Sequence, residues 1–377
     1  MSKIWLSSPH MGEKERVYVE EAFSTNWVAP LGPNVTAFEQ QLADTLGVRG
    51  VLSLSSGSGA LHLSMDLLQV ERDSVVLCQS FTFAASAFPI LYCGAKPVFV
   101  DSEKDTWNMD PQILEEAISD QRKKGNKISA IIVVHLYGMP AKMDEIMAIA
   151  NRHEIPVIED AAEALGSLYH GKPCGSMGKI GILSFNGNKI ITTSGGGALA
   201  SDDEGIMKRA RHISAQAKEP APYYLHKEVG YNYRLSNVCA GIGRGQMEVL
   251  KDRVNRRREI FDFYKKELRE IDGIDFCYEA DNIYSNRWLT TILFDEKWET
   301  GMNDRVRIAL EEMEIETRPL WKPLHQQPVF KDCDNYVNGV SDKLFLQGLC
   351  LPSGSNLTEE NLKTIVNGIK DVLKSGK

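Results

Sequence analysis

The sequence carries no excess of positive charge, no cysteine pairing pattern and no long apolar run. With 43 Lys and Arg against 51 Asp and Glu, its formal net charge is -8. That balance argues against a nucleic acid or an anionic membrane as partner, since either requires a basic face. A small anionic substrate stays compatible with it, because a few local Arg or Lys residues suffice to hold one. The seven cysteines (Cys78, Cys93, Cys174, Cys239, Cys277, Cys333, Cys350) are odd in number, scattered and without a CxxC. They read as reduced thiols rather than as a disulfide framework or a zinc site. The opening Met1-Ser2-Lys3-Ile4-Trp5-Leu6 lacks the apolar run of a signal peptide, and no later segment reaches membrane-spanning length. A cytoplasmic location is expected.

Several catalytic signatures are missing too. The eight histidines show neither HxxxH nor HExxH spacing, so no metal site is expected. No GxSxG is present, which removes the usual hydrolase elbow. Ser55-Ser56-Gly57-Ser58-Gly59-Ala60-Leu61-His62 is not followed by the GK[ST] of a P-loop. It also fails the dinucleotide fingerprint, because His62 stands where the third glycine belongs. Gly241-Ile242-Gly243 fails the same test at Gln246. A nicotinamide-dependent oxidoreductase is therefore disfavoured. There is no internal repeat and no low-complexity tract.

What is present is a succession of short apolar runs between helical patterns. Val51-Leu52-Ser53-Leu54, Val75 to Cys78, Pro97 to Val100, Ile131 to Val134, Val157-Ile158 and Ile180 to Leu183 alternate with stretches such as Gln112 to Ile118 and Met143 to Ala150. This predicts an α/β architecture: a mostly parallel sheet flanked by helices on both faces. The segment from Ser236 to about Ile271 reads as one long helix whose later half is highly charged. Beyond it, Trp288 to Phe294 reads as a strand, Asp304 to Glu312 as a helix, and a terminal helix starts at Thr358. The expected division is a large domain over 1–250 and a smaller C-terminal α+β domain over 251–377.

In such a sheet, ligands gather beyond the carboxyl ends of the strands. Two chemically loaded strand ends fall there. Ile155-Pro156-Val157-Ile158 runs into Glu159-Asp160, and Ile180-Gly181-Ile182-Leu183 runs into Ser184, with Lys189 five residues on and Ser194-Gly195-Gly196-Gly197 beyond it. A carboxylate for a pyridinium, a hydroxyl for a phosphate and a lysine amine for a carbonyl make up the chemistry pyridoxal phosphate (PLP) requires. Each residue also has an ordinary reading. Strand-end acids cap helices, and Glu163 completes a capping box as readily as it faces a ligand. Most lysines are solvated, and a glycine run serves a tight turn. Ser55 to Gly59 at a helix start offers backbone N–H groups to a phosphate, though Ser and Gly are routine caps. Phe83, after another strand end, is placed to stack on a ring or to fill the core.

Taken together, the motifs resemble the DegT/DnrJ/EryC1/StrS family of PLP-dependent nucleotide-sugar aminotransferases. The resemblance runs almost end to end. It covers Ser8-Pro9-His10-Met11-Gly12, Asn26-Trp27-Val28-Ala29-Pro30-Leu31-Gly32, His135-Leu136-Tyr137-Gly138, Glu159 to Ala164, the lysine segment, Gly230 to Asn237 and Arg318-Pro319-Leu320-Trp321. It implies the fold-type I, aspartate aminotransferase-like architecture. It also implies Lys189 as Schiff-base lysine and proton shuttle, with Asp160 as partner of the pyridinium. Gly57, Ser58 and Ser184 would form the phosphate cradle and Phe83 the stacking aromatic. Asn232 would reach the phosphate of a neighbouring subunit, so a homodimer with shared active sites is implied. Glu163 stands where many members have Gln, near the ring hydroxyl, and Ser194-Gly195-Gly196-Gly197 departs from the commoner Thr-Gly-Glu-Gly-Gly. A lysine at 189, where the family's dehydratases have histidine, is similar to the transaminases.

The variants around Asn186-Gly187-Asn188-Lys189 and Asn26 to Pro30 look most like the bacillosamine-pathway enzymes. Those transfer an amino group from L-glutamate to C4 of a UDP-linked 4-keto-6-deoxy-N-acetylglucosamine. Trp27, Lys218, His226, Arg234 and Arg318 are the candidate contacts to the nucleotide sugar, which is expected to lie across the subunit boundary, near the Trp27 loop of one subunit and the 216–231 loop and Arg234 of the other. Competing readings are the same chemistry on GDP-4-keto-6-deoxymannose or a dTDP-keto sugar, and a non-catalytic PLP-binding regulatory protein. Retention of both Lys189 and Asp160 tells against the last.

Overall fold

The structure, a computed structural model, describes residues 3–375. Its centre is an eight-stranded sheet. Seven of its strands are β1 (Gly50–Leu54), β2 (Val75–Gln79), β3 (Lys96–Val100), β4 (Ile128–Val134), β5 (Val157–Asp160), β6 (Ile180–Ser184) and β7 (Gly197–Ser201), and β8 (Asn335–Tyr336) completes it. The spatial order is β1-β7-β6-β5-β4-β2-β3-β8. Pairing is parallel from β6 across to β8, whereas β7 runs against both of its neighbours. The mostly parallel, helix-flanked sheet expected from the alternating runs is the observed fold.

Strand alternation explains why these runs are apolar throughout. In β4, Ala130 and Ile132 face one layer with Val76, Ile158, Leu61 and Met65, while Ile131 and Val133 face another with Leu77, Leu114 and Ile146. Both faces are covered, so the middle strands are largely apolar, and a polar residue they do carry, Glu159, is fully buried and hydrogen-bonded to His135 and the Gly175 N–H. The covering helices have local starts. Asp110 Oδ1 accepts the Gln112 N–H at 2.8 Å ahead of Pro111, and Asp203 Oδ1 accepts the Ile206 N–H at 3.0 Å.

A second, antiparallel sheet joins Ile274–Phe276, Thr290–Phe294, Gly348–Leu351 and Arg318–Pro319. Helices Leu250–Leu268, Met302–Glu312 and Glu359–Ser375 share a core with it. The chain crosses between the two sheets more than once. Ile4 belongs to the second core and bridges to Ile315, whereas Asn335–Tyr336 returns to the large sheet beside β3.

The long helix expected from Ser236 is two. Asn237–Glu248 ends at Val249 (φ -109°, ψ 5°), and Leu250–Leu268 begins directly after it. Each half is tied to a different neighbour. The first packs on helices Lys14–Ser24 and Pro33–Leu46, with the Tyr18 hydroxyl donating to Glu248 Oε1 at 2.5 Å. The second enters the C-terminal core through Ile260, Phe261, Tyr264 and Leu268. Periodicity continues through the junction, so the sequence pattern alone hides the bend. Among the described residues no helix is long and apolar enough to cross a membrane.

Candidate active site

β5 and β6 are adjacent and parallel, so Asp160 and Ser184 finish on one rim. The helix Gly57–Leu67, entered from β1, points its N-terminus at the same place. These three element ends and the loop after β6 enclose a cavity of about 380 Å³. Gly57, Ser58, Phe83, Asp160, Glu163, Ser184 and Lys189 all line it.

The helix end is prepared for an anion. Ser56 Oγ accepts the Gly59 N–H at 2.9 Å, while the remaining first-turn N–H groups have no carbonyl in the helix to receive them. Close approach depends on missing side chains. A Cβ at Gly57 would lie 3.1 Å from Ser184 Cβ, and one at Gly197 would lie 2.4 Å from the Gly57 nitrogen. Glycine at both positions therefore lets β7 and the helix start meet beside Ser184.

Asp160 is 5% exposed. Its Oδ2 accepts the Ser86 hydroxyl at 2.7 Å and its Oδ1 the Ala162 N–H at 3.2 Å. Both bonds hold the carboxylate in place at the end of β5. Lys189 sits in a turn closed by its own N–H to the Asn186 carbonyl at 3.0 Å. Its Nζ lies 4.2 Å from the Trp288 ring centroid and 3.6 Å from Glu163 Oε1. Trp288 is fixed by Nε1–H to the Asn188 carbonyl at 2.7 Å and by its backbone N–H to Asn286 Oδ1 at 2.9 Å.

Glu163 is 5% exposed and its Oε2 accepts the Tyr137 N–H at 2.7 Å. Burial pushes its carboxyl above the ordinary carboxylate range, against the pull of Lys189 and of that N–H, with Asp160 adding to the rise. Tyr137 adopts a left-handed backbone (φ 54°), uncommon for a bulky residue. Its ring stacks with Trp288 (6.5 Å, 16°) and Trp321 (6.2 Å, 8°), and its hydroxyl accepts the Trp321 N–H at 2.9 Å. One turn thus supplies the amide that holds Glu163 and the ring that aligns two tryptophans of the cavity wall. Phe83, 55% exposed, leans on Trp321 with ring centroids 5.4 Å apart.

The other expected contacts lie elsewhere in this chain. Arg318 lines an adjoining chamber and donates to Glu316 Oε1 at 2.8 Å. Arg234 does not line the cavity: its guanidinium donates to Glu39 Oε1 at 2.9 Å, so its charge is spent on an internal pair. Asn232 is exposed and bridges through its backbone to Ala215. Trp27 is 42% exposed, and its carbonyl accepts the Asn237 amide at 2.8 Å. Lys218 and His226 pair through their backbones, with Lys218 Nζ over Tyr224 and the His226 ring on the Gln216 carbonyl. Sequence reasoning missed Ser86, Trp288 and Asn286. Trp288 carried a weak signal, being one of six tryptophans and standing at the start of a strand run, while Ser86 carried none.

The residues present suit PLP. A buried carboxylate faces the cavity for the pyridinium, a capped helix end and Ser184 offer donors for the phosphate, and Lys189 presents the amine. The comparisons point the same way. A sequence profile of the DegT/DnrJ/EryC1/StrS aminotransferase family matches residues 9–370. The chain is 51% identical over 370 residues to EpsN of Bacillus subtilis (strain 168), named as a pyridoxal phosphate-dependent aminotransferase, covering 97% of this chain and 94% of that one. It is 34% identical to the GDP-perosamine synthase of Escherichia coli O157:H7, covering 98% of this chain and 99% of that one. Among solved structures, the aminotransferase TlmJ from Streptoalloteichus hindustanus superposes with a TM-score of 0.91 at 27% identity, over 99% and 100% of the two chains.

Proposed function

The chain belongs to the DegT/DnrJ/EryC1/StrS aminotransferase family of PLP-dependent sugar aminotransferases, and on that premise we propose that it moves an amino group from L-glutamate to C4 of a UDP-linked 4-keto-6-deoxy-N-acetylhexosamine. The reading rests on the Lys189 amine and the Asp160 carboxylate lining one cavity with the Ser56-capped helix end. PLP supplies a carbonyl that accepts the amino group and a ring that takes up the charge left when a C–H bond breaks.

This chain's residues do the rest. Asp160 would accept the pyridinium N–H and keep the ring nitrogen protonated. Gly57, Ser58 and Ser184 would hold the phosphate, and Phe83 would lie against the ring. Lys189 Nζ would hold and move the proton at the donor's Cα in one half-reaction and at sugar C4 in the other. Glu163, 3.6 Å from Lys189 Nζ, is the candidate partner of the ring hydroxyl. Asn232 completes the phosphate site of a partner subunit in a cytoplasmic homodimer, with Trp27, Lys218, His226 and Arg318 as the remaining candidates for the sugar nucleotide. Arg234, tied to Glu39, is a weaker fit to that role.

The likeness to a GDP-perosamine synthase supports a second reading, the same chemistry on GDP-4-keto-6-deoxymannose. Purified holoenzyme should show a visible band that glutamate bleaches and that Lys189→Ala lacks. Offering both keto sugars to the aminated enzyme, with NMR of the product, decides between the readings. Turnover of the GDP sugar alone would overturn the UDP assignment, and a protein that stays colourless after PLP is added would overturn both.

A further inference from the structure

A second chamber of about 610 Å³ opens beside the first and shares Thr82, Phe83, Asn188, Trp288 and Trp321 with it. Its walls are largely aromatic and aliphatic, with Tyr137, Leu289 and Phe345 added to the two tryptophans. Its charged side chains come from one short stretch: Glu316, Arg318 and Lys322. Apart from Lys189, Arg318 and Lys322 are the cations among the described residues that line either cavity.

Those two cations are differently committed. Arg318 gives one N–H to Glu316 Oε1 at 2.8 Å, and its side chain is 66% exposed. The other Glu316 oxygen accepts the Leu6 N–H at 3.1 Å, so this acid is anchored to the backbone rather than mobile. Lys322 Nζ has a neutral partner, Gln326 Oε1 at 3.3 Å, and lies 5.1 Å from the Phe345 ring centroid. Two cations against one acid leave the chamber with one net positive charge. That suits one carboxylate, whereas a diphosphate would meet the Glu316 charge with two of its own. The apolar wall between the chambers suits a short methylene chain.

We propose that this chamber holds the distal carboxylate of a dicarboxylic amino donor on Arg318 and Lys322, and so sets the donor specificity. The proposal rests on the aminotransferase reading above. It places the donor's α-carbon beside Lys189 in the first cavity and lays its side chain along Trp288 and Trp321. Arg318 thereby becomes a donor contact rather than a sugar-nucleotide contact. The shared chemistry is an anionic group on a substrate, and the two half-reactions separate its sources.

The test uses the holoenzyme with glutarate, a dicarboxylate lacking the reactive amine, and with butyrate as its monocarboxylate control. Calorimetry should give tighter binding of glutarate than of butyrate. Arg318→Gln with Lys322→Gln should weaken glutarate by about tenfold or more and erase the difference, as loss of charge-assisted hydrogen bonds predicts. Lys322→Gln alone should give a smaller loss, and serves if the double variant does not fold. Glu316→Gln should tighten glutarate by removing the opposing charge. In single-turnover absorbance, Lys322→Gln should lower the preference for glutamate over alanine while its keto-sugar half-reaction is retained. Unchanged glutarate binding overturns the proposal. So does a defect confined to the keto-sugar half-reaction, which would assign these cations to the diphosphate. If glutamate does not bleach the wild-type band, the proposed function fails, and glutarate binding still decides this inference separately.

Discussion

At Glu163 four influences meet on one carboxyl: burial and Asp160 oppose its charge, while Lys189 and the Tyr137 N–H favour it. Burial is the largest, so the folded protein holds this proton more tightly than the unfolded chain does. Stability from that proton is complete below the unfolded carboxyl pKa and is lost as pH rises through the higher folded value. Glu163→Gln keeps the shape and cannot ionise. In the apo-protein its melting temperature should therefore gain on wild type as pH is raised from about 4 to about 8. Paired melting curves at fixed ionic strength check this, and a difference independent of pH would refute it. The sequence made the positions of Asp160, Ser184 and Lys189 legible, since each follows a strand end or a glycine run whose local chemistry is unusual. Tyr137 and Trp288 were not legible as a pair, because 151 residues of chain separate two rings that meet only in the folded protein. The pairing of Arg234 with Glu39, far back in the chain, was hidden in the same way.

The elements at the Ser56-capped helix end of the site are joined through glycines. β7 passes so close to the start of helix Gly57–Leu67 that a Cβ at Gly197 would stand 2.4 Å from both the Gly57 nitrogen and the Ser56 carbonyl carbon. Backbone cannot step aside as a flexible side chain can. Gly197→Ala should therefore cost about 1–3 kcal/mol of stability, and it should also weaken PLP, because the displaced amides belong to the helix end that faces the phosphate. Gly195, two residues earlier, is the comparison: a Cβ there meets nothing within 4 Å. Gly195→Ala should leave the apo-protein's stability within about 0.5 kcal/mol of wild type. Denaturant titrations of both apo-variants and a PLP titration of Gly197→Ala test the pair, and equal stability losses would remove the argument. At this scale the sheet was readable because both of its faces are buried and its strands are apolar runs. The break at Val249 was not, because the apolar period continues across it and only the different partners of the two helices bend the chain.

For the whole molecule, the decisive question is whether Asn232, which does not line the cavity of its own chain, serves that of a second copy. The segment bearing it is bound to β1: the Ser55 N–H donates to the Tyr233 carbonyl at 2.7 Å, and the Leu235 N–H to the Ser53 carbonyl at 3.4 Å. These bonds set Asn232 near the start of helix Gly57–Leu67 yet leave its side chain exposed. The chain exposes large apolar residues, including Tyr224 and Val229, each 81% exposed, in the loop that precedes Asn232 in sequence, and Phe23 at 61% and Leu31 at 56% near the N-terminus. Exposed apolar surface of this kind is what an interface with a second copy would bury. If Asn232 acts across that interface, Lys189→Ala and Asn232→Ala each disable every site of their own homodimer. Co-refolding them in equal amounts gives heterodimers in which one site carries both lesions and the other carries neither. The mixture should then recover about a quarter of wild-type activity per site, the share expected from random pairing. Mixing without exchange of subunits should recover none. Should Asn232 act within its own chain, every site would keep one lesion, and co-refolding would restore nothing.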